Sequence, residues 1–101
     1  MIVHRWQAKI IPSKTQIQKI FEADDLQAKE DIVEPTTTKP QEIKNPYTEM
    51  RVVVSGALFV EIIGNKLLLR PGDKIIIPSN TKHTKTTQGD APCVSLVAYQ
   101  F

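Results

Sequence analysis

Two kinds of hydrophobic spacing divide the chain. Near the N-terminus Ile17, Ile20 and Phe21 recur at i, i+3 and i+4 behind Pro12 and Ser13, which is the spacing of one helix face. Ser13 and Gln16 have the Ser-x-x-Gln separation of a capping box, so a helix is predicted over residues 13–23. Asp24 and Asp25 would sit badly at the negative end of a helix dipole and read as a turn closing the helix. Ahead of the helix, residues 2–6 mix β-branched and aromatic side chains and read as a short strand with Ile2, His4 and Trp6 on one face.

From residue 27 onward helical spacing is absent. Residues 29–33 read as a strand, and Pro35, Pro40 and Pro46 divide the next stretch into extended, edge-like pieces. Residues 49–55, 57–63, 66–70, 74–77, 82–87 and 93–101 are then short apolar or β-branched runs. Turn signals separate them at Ser55-Gly56, Gly64-Asn65, Pro71-Gly72-Asp73, Pro78-Ser79-Asn80 and Gln88-Gly89-Asp90. Strands this short and regularly spaced predict a mainly β antiparallel sandwich or barrel. The expected organisation is a single domain over residues 1–101, with the N-terminal strand and helix in 1–26 and the barrel in 27–101. Ile17, Ile20 and Phe21 should be buried against that barrel.

Composition narrows the function classes. No run approaches the ~18–20 apolar residues of a membrane span, and the first six residues lack a signal-peptide apolar core. The reading is a soluble, cytoplasmic protein with no membrane partner. Cys93 is the single cysteine and lies in an apolar run, so it is expected to be a small core residue rather than a reactive thiol. The net charge of +2 conceals a segregation: residues 1–21 carry four basic and no acidic side chains, whereas residues 22–34 carry six acidic and one basic. The acidic run reads as a solvated turn and strand edge. Basic residues farther on are scattered singly among few aromatics, which argues against nucleic-acid binding.

The order Glu49, six residues, Gly56, then Gly72, Pro78 and His83 resembles the two motifs of the cupin family over residues 40–101. In the second motif Asn80 stands for a glycine and Thr87 for an asparagine; the first exchange is mild, because Asn tolerates a left-handed conformation. The resemblance implies a small antiparallel β-barrel of the cupin, or jelly-roll, type. It also implies a divalent transition metal held by two first-motif histidines, the glutamate and the second-motif histidine. Those two histidines are missing. Counting back from Glu49 puts their positions at Ile43 and Asn45 or at Glu42 and Lys44. Glu49 and His83 alone fall short of the three or four protein ligands of a stable site, and His4 lacks motif support as a recruit. The expectation is therefore no metal and no other cofactor; the alternative is a divalent metal on Glu49, His83 and atypical ligands.

Strand alternation extends the candidate pocket. If Glu49 points inward, Arg51 and Val53 accompany it, and if His83 does, so do Lys85 and Thr87. The pocket set is Glu49, Arg51, His83, Lys85, Asn45 and Tyr47, with Arg51 or Lys85 neutralising Glu49 in the metal's stead. The plain alternative has Arg51 and Lys85 reaching out of the barrel mouth into water. Three functions fit: a metal-free module binding a small, anionic metabolite; a metal-dependent dioxygenase or isomerase with atypical ligands; and a scaffold for assembly. The first is preferred, and whether any catalysis is retained stays open. Ala57, Phe59, Ile63 and Leu68 fall on outward positions, which predicts a homodimer unless the N-terminal helix covers them.

Overall fold

The computed structural model describes residues 1–36 and 39–101. Among these the chain runs β1 (Ile2–His4), α1 (Lys14–Ala23), β2 (Lys29–Val33), β3 (Thr48–Ser55), β4 (Leu58–Ile62), β5 (Asn65–Leu69), β6 (Lys74–Ile77), β7 (His83–Thr87) and β8 (Cys93–Gln100). Part of the extended stretch expected between Pro35 and Pro40, residues 37–38, lies outside the described residues.

The strands form two antiparallel sheets, one ordered β1-β6-β3-β8-β2 and one ordered β5-β4-β7. The expected mainly β, antiparallel jelly-roll fold is thus present, as an open sandwich whose two sheets are not laddered into a closed barrel among the described residues. Beside β5 the N-terminal segment comes across with a side chain rather than a ladder: Arg5 donates to the Leu68 carbonyl. Beside β7 the link is a single bridge between Ile43 and His83. Between the sheets alternate residues meet in an apolar core of Val53, Leu58, Val60, Leu69, Ile75 and Ile77.

Helix α1 forms where its capping box predicts. The Ser13 hydroxyl accepts from the Gln16 amide at 3.2 Å, and Gln16 Oε1 accepts from the Ser13 amide at 2.8 Å. It lies on the outer face of the larger sheet, burying Ile17 and Phe21 against Met50, Val52, Leu96 and Ala98, with Ile20 half-buried beside them. None of the described helices is long and apolar enough to cross a membrane.

The strand predicted over 2–6 ends at His4 because the next residues are captured. Asp73, in the turn before β6, accepts from the Trp6 amide at 2.8 Å, from Arg5 at 3.0 Å and from the Arg70 amide at 2.9 Å. The Trp6 ring then lies against Gly72, where a Cβ would come within 2.6 Å of the indole. Gly72 has φ +94°, so both the turn and the close approach require glycine.

Candidate functional site

Alternation on two facing strands builds the site. On β3, a central strand of its sheet, Glu49 and Arg51 point inward with 2% exposure each. On β7 of the other sheet, His83 and Lys85 point inward toward them, and the Lys85 side chain is 8% exposed. Arg51 and Lys85 therefore do not reach out into water.

Four side chains close into one network. Arg51 Nε donates to Glu49 Oε2 at 3.0 Å, and Lys85 Nζ donates to Glu49 Oε1 at 3.2 Å. Lys85 Nζ also lies 2.9 Å from His83 Nε2. The opposite ring nitrogen, Nδ1, is 3.0 Å from the Thr81 carbonyl, which can only accept. The ring is thus the neutral Nδ1–H tautomer, and its Nε2 lone pair accepts from the ammonium. Each carboxylate oxygen of Glu49 has its own cation, so the two sheets are bonded together through this one residue.

Charges this deeply buried need partners, since desolvation costs several kcal/mol per ion. Burial pushes the Glu49 carboxyl up, but Arg51 and Lys85 outweigh it and hold the group below its ordinary value. For Arg51 burial again opposes the charge, and Glu49 together with Asp31 more than compensates, raising its pKa. Lys85 is lowered, chiefly by burial and then by Arg51, with Glu49 working against both. His83 is lowered chiefly by burial, against the Thr81 hydrogen bond and with the help of Lys85.

Other predicted residues are placed differently. Asn45 contributes its backbone carbonyl, which accepts from the Asn80 amide at 2.6 Å. Tyr47 packs edge-on against Tyr99 and tilted against Phe101 at ring-centroid distances of 4.6 and 5.2 Å, beside the network rather than bonded into it. His4 is exposed on β1. Cys93 is buried and burial raises its thiol pKa, as suits a core residue. One member was missed at the level of sequence: Asp31 on β2 accepts from Arg51 at 2.9 Å while remaining 45% exposed. Its signal was an acid at an alternating position of a predicted strand, obscured by the acidic run around it.

The donor set does not fit a transition metal. Ile43 makes reciprocal backbone hydrogen bonds with His83 at 2.8 and 2.9 Å, so a missing-histidine position stands beside His83 with an aliphatic side chain. Among the described residues no group of three or more His, Cys, Asp and Glu side chains is placed to hold an ion. The two surviving donors instead converge on an ammonium. Next to His83 opens a groove of about 750 Å³ at the end of the sandwich, lined among others by Lys44, Lys66, Lys82, Asn80 and Thr81.

Known proteins agree with this architecture. No curated protein matches the chain. Among solved structures it is similar to a candidate mannose-6-phosphate isomerase from Ralstonia eutropha, at 28% identity over 75% of this chain and 74% of that one, with a TM-score of 0.63. A cupin protein from Bacteroides fragilis is similar at 22% identity over 71% of this chain and 62% of that one, with a TM-score of 0.60. The DMSP lyase DddQ from Ruegeria pomeroyi is similar at 25% identity, with a TM-score of 0.63; the match covers 75% of this chain and only 38% of the lyase. The profile of the cupin domain matches residues 30–99, from the second residue of β2 to the next-to-last of β8, and includes all five side chains of the network. The chain belongs to the cupin family.

Proposed function

We propose that this cupin is a metal-free binding module for a small anionic molecule. The observation that carries the reading is Lys85 Nζ, placed 3.2 Å from Glu49 Oε1 and 2.9 Å from His83 Nε2, where the two remaining donors converge. An ammonium has three N–H bonds, and among the described residues two of Lys85's have protein partners. Glu49 and Asp31 balance Arg51 and Lys85 in the inner network, so the positive lean comes from the adjoining groove. In the adjoining groove Lys44, Lys66 and Lys82 outnumber Glu42 and Glu61. A carboxylate or phosphate group suits this field better than a neutral ligand does.

The same reading takes the chain as a homodimer, because α1 covers the larger sheet and leaves the outer face of the smaller one to another partner. The ligand reading is tested by thermal shift of the chelator-treated protein with small carboxylates, phosphate monoesters and their neutral analogues. The expected result is a raised midpoint with one anionic class and none with the neutral analogues. Stabilisation by neutral compounds alone, or recovery of the protein with near-stoichiometric iron, manganese, nickel or zinc after dialysis against a mild chelator, refutes it.

A further inference from the structure

We infer that the Lys85 ammonium, together with the Arg51 guanidinium, is a built-in substitute for a divalent cation, and that removing it opens the place to a metal ion. This rests on the metal-free reading above and deepens it. Glu49 on one sheet and His83 on the other each aim one donor atom at a common point, and Lys85 Nζ occupies that point. His83 is oriented as a metal-bound imidazole is, with its far N–H given to a backbone carbonyl, here that of Thr81, and its Nε2 turned inward. Arg51, which also holds Asp31, engages the second Glu49 oxygen, so two singly charged cations answer this carboxylate where one doubly charged ion would. The contacts are of hydrogen-bond length, about 1 Å longer than the ~2.0–2.2 Å of metal–nitrogen and metal–oxygen bonds. An ion at the same point therefore needs Glu49 and His83 to close on it, and the Lys85 stem prevents that. Lys85 also lies two residues beyond His83 on β7, so a shorter side chain there leaves its space on the same face and beside the same donors.

Cobalt(II) titration of chelator-treated protein, without any anionic ligand, tests this by visible absorption and thermal midpoint. The variants are Lys85→Ala, which vacates the space, and Lys85→His, which adds a third donor. The parent is expected to bind no cobalt at this site. Lys85→His is expected to bind one equivalent at least tenfold more tightly than the parent, with Lys85→Ala between them. Adding His83→Gln to either variant should abolish the gain. Should a variant be unfolded without metal, recovery of its β-sheet circular dichroism on adding cobalt(II) counts as binding. The inference is overturned if both variants, folded or unfolded, gain nothing over the parent, and equally if the parent binds cobalt as tightly as they do. The former outcome leaves the metal-free reading standing, whereas the latter removes that reading as well.

Discussion

At the level of single residues, the ion network is held by need rather than by net gain. Glu49 and Arg51 are buried charges on the same strand, and without the other each keeps a single ionic partner, Lys85 for Glu49 and the half-exposed Asp31 for Arg51. Losing one member of a buried pair costs about 3–5 kcal/mol. Lys85 still faces Glu49 when Arg51 is gone, so Arg51→Ala is expected at the lower end, about 3 kcal/mol in urea unfolding. Lys66→Ala, which breaks an exposed 3.9 Å pair with Glu61, should stay within about 0.5 kcal/mol. Adding Glu49→Gln to Arg51→Ala should recover part of the loss, since it removes a buried carboxylate left with Lys85 as its remaining ionic partner. If all three changes lie within about 0.5 kcal/mol of the parent, the network contributes nothing. Acid should act through the same residues. His83, facing Lys85, Glu49 and Arg51, has its pKa lowered by folding, so the unfolded chain takes up the proton first and stability falls as pH drops below about 6.5. Glu49 is also lowered, so its contribution is present above about pH 4.5 and is lost further down. The thermal midpoint should therefore decline in two stages on acidification. His83→Gln, which can still accept from Lys85 and donate to Thr81, should remove the upper stage alone.

At the level of elements, local signals were sufficient wherever both partners of an interaction lie close in sequence. The capping box at Ser13 and Gln16 is one case, and Ser13→Ala should destabilise by about 1 kcal/mol. Period two on β3 and β7 is another, since it brought Glu49, Arg51, His83 and Lys85 to the inside. The features that were not legible depended on distant pairings. Asp31 joins Arg51 only because β2 pairs with β8 and β8 with β3, and nothing local distinguishes it from its solvated neighbours. Asp73 ends β1 across a separation that no local pattern reports. The β4–β5 hairpin departs from its own best local chemistry. Its turn places Ile63 at φ +50° and Gly64 at φ +73°, a pair of left-handed positions for which Asn-Gly is the favoured sequence. A β-branched residue there costs about 1–2 kcal/mol, and Ile63 is 67% exposed, so it recovers little by burial. Ile63→Asn is accordingly expected to stabilise the chain by about 1 kcal/mol in chemical denaturation. Destabilisation instead would mean that Ile63 makes a contact outside the single chain.

At the level of the whole molecule, each sheet has an outer face to account for, and the chain treats the two differently. The larger sheet is covered by α1, whose Ile17 and Phe21 reach zero exposure over Met50, Val52, Leu96 and Ala98. That placement rules out α1 as the cover for the outward set, of which Ala57, Phe59 and Leu68 lie along the smaller sheet and Ile63 lies in the turn at its end. There the chain lays the Lys66 ammonium 4.8 Å over the Phe59 ring and brings Arg5 to the Leu68 carbonyl, leaving both side chains half-buried. A long cationic stem shields an aromatic ring in part and is readily moved aside. Two copies related by a twofold axis would place this patch against itself, the isologous arrangement that most homodimers use. Sedimentation at micromolar concentration should then report twice the 11.4 kDa of the chain, and the thermal midpoint should rise with protein concentration. Phe59→Lys puts a like charge beside its own symmetry mate. It should shift the species toward the single chain while the circular dichroism stays that of the parent. A parent that sediments only at 11.4 kDa, with a midpoint independent of concentration, rejects the dimer.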